Sequence, residues 1–219
     1  MIRTSLIASI AATLLCLPGA ADPDTPILHP VEKACLTYQM GGQMQSGTLT
    51  RCHQDFAYEA YEIQDISIGF GGFTQKQTTH SITIGDTIYA IDVKAKTATK
   101  TRNPMYETLV SALQNSSAGD IQASFLNAMG MTSTGTTKSI AGETCTVYSS
   151  QMMGQACFTP DGLMLEQSVM GSTQTATSID RTTGGDEANY TLYQTVTISS
   201  GPDLSNLPGG LAGLLGNGN

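Results

Sequence analysis

The first 21 residues, MIRTSLIASIAATLLCLPGAA, decide what the rest of the chain can fold into, because they decide where it folds. Arg3 precedes an apolar run from Leu6 to Leu17. A break at Pro18-Gly19 and the small residues Gly19, Ala20 and Ala21 follow. That is the layout of a secretory signal peptide cleaved after Ala21. The run is too short for a permanent membrane-spanning helix. Leu15 stands before Cys16 where lipoprotein signals carry a small residue, which argues against lipidation. Export places the mature chain where disulfides form. Cys16 leaves with the signal, and Cys35, Cys52, Cys145 and Cys157 remain.

Four cysteines allow three pairings. Short loops favour Cys35–Cys52 and Cys145–Cys157. In a hairpin centred on Gln151, Cys145 and Cys157 are equidistant from the turn and fall opposite each other. Each bridge is worth roughly 3 kcal/mol in the chain-entropy model. The chain has no Cys-x-x-Cys, and the spacing fits no zinc template. The bridges are therefore read as structural, with no metal and no cofactor expected.

About 198 residues remain after cleavage, enough for one domain with a real core. The full chain has a net charge of −8, which becomes −9 once Arg3 is gone. Such a chain is repelled by phosphate backbones and anionic membrane surfaces, so nucleic acid is excluded as a partner. No stretch after the signal is long and apolar enough for a transmembrane helix. Only 13% of residues are charged, and Thr, Ser, Gln and Gly fill the polar positions, as suits strands with polar outer faces.

The organisation follows: signal 1–21, an extended Pro-rich lead-in 22–30, a β domain 31–200 and a Gly-rich tail 201–219, flexible on composition. Ala34 to Met40 alternates in polarity, Gly41-Gly42 supplies a turn, and Thr48 to Ala60 continues as strand. Ser81–Ile84, Gly85-Asp86 and Thr87–Ile91 form the clearest hairpin, because glycine takes positive φ freely. Lys94 to Arg102 reads as a solvated strand near an edge. Asn103-Pro104 then starts a helix. Tyr106, Leu109, Val110 and Leu113 share one helical face. Ile121, Phe125, Ala128 and Met129 repeat the spacing in a second helix that ends near Gly130. Strands resume after Lys138, with hairpin arms at Glu143–Ser149 and Ala156–Phe158. A turn at Thr159-Pro160-Asp161-Gly162 precedes strands at Leu163–Met170, Thr173–Arg181 and Tyr190–Ser199.

Catalytic signatures are absent. The chain has no Gly-x-Ser-x-Gly elbow, no His-Glu-x-x-His, no phosphate-binding loop and no dinucleotide fingerprint. His29 lies in the lead-in, His53 follows Cys52 and His80 precedes the best hairpin. The carboxylate pairs Glu59/Glu62 and Asp186/Glu187 read as solvated charges. No catalytic residue is assigned and no enzyme is expected. The methionines Met40/Met44, Met129/Met131 and Met152-Met153 offer soft thioethers for Cu(I), with adaptable packing as the plainer reading.

Three local pieces carry a family likeness. One is Gly85-Asp86-Thr87-Ile88-Tyr89-Ala90-Ile91-Asp92, with Lys and Thr leading on to Asn103-Pro104. The second is Ala141-Gly142 with Cys145 and Tyr148, and the third is Gly162-Leu163-Met164-Leu165. With the strand–helix–helix–strand order, the chain resembles uncharacterised branches of the LolA-like superfamily of periplasmic proteins. The resemblance spans Val31 to Ser199. It implies a periplasmic α+β, mainly β fold: an unclosed antiparallel β half-barrel with two short helices covering its concave face. It also implies an apolar cavity for acyl chains or other amphiphiles. The candidates to line it are Tyr106, Leu109, Val110 and Leu113 on one helix and Ile121, Phe125 and Met129 on the other. Ile82, Ile84, Ile88 and Met164 are the candidates from the strands. Arg51 is the nearest counterpart of the basic residue with which the family's lipoprotein carriers capture cargo. The expectation is a non-enzymatic periplasmic protein that binds a lipid or other hydrophobic ligand. The alternatives are a Met-based copper-handling or envelope-stress protein, and a structural or interaction module with no small ligand.

Overall fold

Alternation of apolar and polar residues along strands too numerous for a single flat layer produces one long curved sheet. A computed structural model describes residues 25–42, 45–70, 73–103, 106–113, 118–151 and 154–201. The expected signal, the tail beyond Gly201, and Met44, Met105, Met152 and Met153 lie outside the described residues. The first six strands form an antiparallel meander: β1 (Ala34–Gly42), β2 (Gln45–Gln54), β3 (Glu59–Phe70), β4 (Phe73–Ile84), β5 (Thr87–Asp92) and β6 (Thr97–Arg102). Helices α1 (Tyr106–Leu113) and α2 (Ala118–Ala128) follow. A second meander runs through β7 (Thr132–Ile140), β8 (Glu143–Ser150), β9 (Gly154–Phe158), β10 (Met164–Val169) and β11 (Ser172–Asp180). Strand β11 returns to pair with β1 and joins the two meanders. After α3 (Glu187–Thr191), β12 (Thr197–Ser200) pairs with β6, the one parallel pairing among the described residues. The order is β12-β6-β5-β4-β3-β2-β1-β11-β10-β9-β8-β7, an unclosed, mainly β half-barrel with few short helices.

The two faces of this sheet bury different cores. Side chains directly opposite on neighbouring strands share a face. Cys35, Cys52, Tyr61 and Ile82 therefore form one row, because each pairs with the next. That row is packed with Ile91, Ala98 and Tyr190 under α3. Leu36, Tyr38 and Leu49 point the other way and pack with Val147, Leu165 and Ala176.

Both expected disulfides are present, Cys35–Cys52 and Cys145–Cys157. The first joins residues directly opposite in register. The second is diagonal, because Cys157 faces Val147 and the hairpin centres one residue beyond Gln151. Four other expectations are corrected. Thr48–Ala60 is not one strand: a left-handed turn at Asp55–Ala57, with all three residues at positive φ, separates β2 from β3. Gly41 and Gly42 belong to β1, paired with Thr173 and Ser172. Strand β7 starts at Thr132, well before Lys138, as a polar edge strand. Of the expected strand Tyr190–Ser199 only Thr197–Ser199 is one, within β12. Asp186 caps α3, its carboxylate accepting from the Ala188 N–H at 3.0 Å, and a 3₁₀ turn at Leu192–Thr195 follows.

Candidate functional site

Helix α2 lies over the concave face and roofs a partly open cavity of about 390 Å³. Its geometry begins at its C-terminus. The Met131 N–H donates to the Leu126 carbonyl at 2.9 Å and the Gly130 N–H to the Asn127 carbonyl at 3.0 Å, with Gly130 at φ +62°. This Schellman ending needs a residue at positive φ, which glycine supplies without strain, and it brings the residues on either side of the cap together. Leu126 and Met131 accordingly share a cluster with Ala156 and Phe158 of β9. Near its start the helix is tied to the β9–β10 turn, where Gln122 Nε2 donates to the Thr159 carbonyl at 3.0 Å.

The roof of the cavity is Ile121, Gln122 and Phe125, with Met129 and Met131 just beyond the helix. Its floor is Leu36 and Tyr38 of β1, Arg51 and His53 of β2, and Ala60 of β3. On the other side are Ala156, Phe158, Met164 and Gln167. Phe158 meets Phe125 and Tyr148 edge-on, at ring-centre distances of 6.4 and 6.0 Å. Residues Leu28, His29 and Pro30 close the remaining wall.

The polar groups of the wall are largely engaged. The Tyr38 hydroxyl donates to the Met164 carbonyl at 2.8 Å, and burial pushes its pKa up to about 12. Arg51 Nε and Nη2 both donate to Glu62 Oε2, at 2.9 and 2.7 Å. Its guanidinium lies 5.9 Å from the centre of the Tyr38 ring. His53 Nε2 lies 3.1 Å from the Val31 carbonyl, and its ring centre is 4.7 Å from that of His29. Burial pushes the pKa of His53 down to about 4 and lowers that of His29. Below this wall Arg181 forks between two carboxylates, with Nε and Nη2 on Glu143 and Nη1 on Asp161 at 2.5 Å.

Of the residues expected to line the cavity, Ile121, Phe125, Met129 and Met164 do so together. Ile82 does not: it is fully buried in the Cys52–Tyr61 row, on the opposite face of the sheet. Ile84, two residues on, packs against that same core. Ile88 shares a row with Thr83, Ala60 and His53 but stands two strands beyond Ala60, outside the lining. Tyr106, Leu109, Val110 and Leu113 lie on α1, which packs against α2, and none of these four is in this wall. Arg51 is in the lining but is ion-paired. His29 and His53, not assigned to any site from sequence, meet here. The signal available for His53 was its i, i+2 relation to Arg51 on one strand face. His80 is on the other face, beside Tyr61 at 6.1 Å. Among the methionines, Met129, Met131 and Met164 reach the cavity, Met40 packs against the core of Leu36, Tyr38 and Leu49, and Met170 is exposed at a turn. Among the described residues no three of His, Cys, Asp or Glu are grouped to hold a metal ion.

No protein-family model matches the chain, and no curated protein matches it. Among solved structures it is similar to an uncharacterized conserved protein from Thermus thermophilus. The identity is 9%, over 77% of this chain and 90% of that one, with a TM-score of 0.48. It is also similar to MucB, at 12% identity and a TM-score of 0.42, over 74% of this chain and 59% of MucB. The MucA/MucB complex of Pseudomonas aeruginosa gives 12% identity and a TM-score of 0.41, over 72% of this chain and 54% of that one. The chain thus spans about half of the MucB chains it matches.

Proposed function

We propose that the protein is a non-enzymatic periplasmic protein that binds a lipid or other hydrophobic ligand between α2 and the concave sheet face, as the LolA-like resemblance implies. The observation that carries this reading is the 390 Å³ cavity, roofed by one helix and walled mainly by apolar side chains. Its size is within the range of small-molecule sites. At ~30 Å³ per water-sized group it has room for on the order of a dozen methylenes, which suits one acyl chain better than several. Binding is favoured over chemistry because both nitrogens of His29, and Nε2 of His53, are engaged with backbone groups. Arg51 is held by Glu62, so an uncharged or zwitterionic head group suits the wall better than an anion.

The test is native mass spectrometry of mature protein purified from the periplasm, followed by solvent extraction. A co-purifying acyl species supports the reading. A clean apo mass from several preparations, together with no uptake of a neutral lipophilic fluorophore, refutes it.

A further inference from the structure

Residues 25–33 run past the cavity as a strap, and their placement depends on two histidine rings. The strap is sewn to the turn between β2 and β3 at two points. The Leu28 N–H donates to the Phe56 carbonyl at 3.0 Å, and the Phe56 N–H donates to the Glu32 carbonyl at 2.9 Å. Between these points lies Val31, and both of its backbone polar groups go to histidines. Its N–H donates to His29 Nδ1 at 3.0 Å, and its carbonyl faces His53 Nε2 at 3.1 Å. A carbonyl only accepts, so His53 carries a proton on Nε2. An N–H only donates, so His29 Nδ1 is bare. The proton of His29 is then on Nε2, 3.3 Å from the Gly162 carbonyl. The hydrogen bonds therefore select the neutral form of His29.

We infer that this strap is an acid-released gate on the cavity, opened by protonation of the His29–His53 pair. A second proton on His29 must sit on Nδ1. There it removes the acceptor of the Val31 N–H and sets two donors against each other. A proton on His53 leaves its Val31 bond intact but places a cation against the His29 ring, 4.7 Å away between centres. Releasing the strap takes Leu28, His29 and Pro30 out of the cavity wall.

The charged surroundings do not hold the pair protonated. Asp161, in the β9–β10 turn, favours a cation at His29, and Arg181, beyond β11, opposes it; the two are paired with each other. Arg51 of β2 shares the wall with His53 and is paired with Glu62 of β3. Helix α2 presents the uncharged Gln122, and the strap's own charges are Glu32 and Lys33. Burial is the larger influence on both rings, and for His53 the His29 charge adds to it.

The direction follows from linkage. Solvated in the open strap, the rings titrate near 6.5; closed, they titrate lower, His53 at about 4. Closure is therefore unopposed above 6.5. It weakens as pH falls from there toward 4, and the penalty levels off below. For His53 alone the open-to-closed ratio rises roughly 25-fold between pH 7.5 and 5.

The meaning of the gate rests on the cavity being a ligand site, but its opening is measurable without a ligand. The experiment follows amide hydrogen exchange in the full mature chain, corrected for intrinsic rates. It also follows release of N-phenyl-1-naphthylamine, a fluorophore uncharged at both pH values. Protection at Leu28 and Val31 should fall by at least roughly 25-fold from pH 7.5 to 5 while Leu165 in the closed core keeps its own. Fluorophore release should accelerate in parallel. In His29→Asn with His53→Gln neither should change. Asn accepts from the N–H two residues on, as in an Asx turn, Gln can donate to the Val31 carbonyl, and neither titrates. Should the double variant fail to fold, His53→Gln alone should lose most of the roughly 25-fold acid response at Val31. Strap protection that is independent of pH in the wild type, or equally acid-sensitive in the variants, overturns the gate. A fluorophore that never binds, with the strap amides responding as described, leaves the gate standing and sinks the ligand reading. Binding with a pH-independent strap does the reverse.

Discussion

A cavity that the chain does not fill must accept added volume where a closed core refuses it, and two alanines on one row of the sheet make the comparison. Ala34, His53 and Ala60 are consecutive partners across β1, β2 and β3 and share a face. Ala34 is fully buried in the closed core, whereas Ala60 lines the cavity. Substitution of either by leucine adds three carbons. At Ala60 these enter vacant space, worth about 0.8 kcal/mol per methylene, less about 0.5–1 kcal/mol for fixing the side chain. The net is a stabilisation of about 1.5 kcal/mol. At Ala34 the same carbons overpack, with a destabilisation of about 1–3 kcal/mol. The two variants should melt on opposite sides of the wild type, about 10 °C apart for a domain of this size. Ala60→Leu should also occupy about 90 Å³, close to a quarter of the cavity, and weaken uptake of the neutral fluorophore, while Ala34→Leu leaves affinity nearly unchanged. Thermal melts by circular dichroism and a fluorescence titration decide it. If Ala60→Leu destabilises as much as Ala34→Leu, the site is filled by the chain itself in solution and the reasoning fails.

Three further outcomes follow from the same geometry. Non-reducing peptide mapping should link Cys35 to Cys52 and Cys145 to Cys157. Replacing the second pair, 12 residues apart, by serines should lower stability by about 3 kcal/mol in a urea titration; a peptide joining Cys35 to Cys145 contradicts the fold. Gly130→Ala should destabilise by about 1 kcal/mol, because alanine resists the positive φ at which the Schellman ending holds this position; a neutral result would mean that α2 ends otherwise. Arg181→Met should cost about 1 kcal/mol at pH 7, a modest figure because the clamp is a third exposed. Hydrogen bonds from Arg181 hold the Glu143 carboxyl below its ordinary value, so this contribution is complete above the unfolded carboxylate range and lost as pH falls through the folded one. Denaturant midpoints of variant and wild type should therefore converge as pH falls below the ordinary carboxylate range.

The sheet's inner strands were legible wherever one face is apolar and the other is not. Ala34, Leu36 and Tyr38 alternate with polar neighbours, and Gly85-Asp86 closes its hairpin as its residues require. Helix α2 was legible because Ile121 and Phe125 recur at helical spacing. Strand β7 was not: TSTGTTKSI offers no apolar residue before Ile140, because an edge strand wet along its length needs none. Helix α3 was missed for a different reason. Five residues are too few to display a period, and only Asp186 ahead of Glu187 marks the start. The face of Ile82 could not be read from its own hairpin. It depends on register counted back through Tyr61 to the Cys35–Cys52 bridge, which fixes the parity of all four strands. The two cavity histidines are 24 positions apart, and only the fold of the strap brings them together.

Why the concave face stays open while its reverse closes can be traced to side-chain size. On the reverse face Tyr61 meets Tyr190 edge-on at 4.8 Å and Tyr89 stacks on Tyr193 at 4.5 Å, so large rings fill the space beneath a five-residue helix. Under α2 the lining carries alanine at positions 57, 60 and 156. Leucine at all three would add nine carbons, roughly 270 Å³ at ~30 Å³ each, most of the cavity. Settling α2 onto the sheet instead would pull Gln122 from the Thr159 carbonyl and Met129 from the Ser150 hydroxyl. Apolar wall left without packing partners is unfavourable, by an amount that grows with the volume left unfilled. Small residues in the floor and a roof held at both ends thus preserve a volume that folding alone would favour filling, and an apolar occupant would supply the contacts those alanines leave unmade.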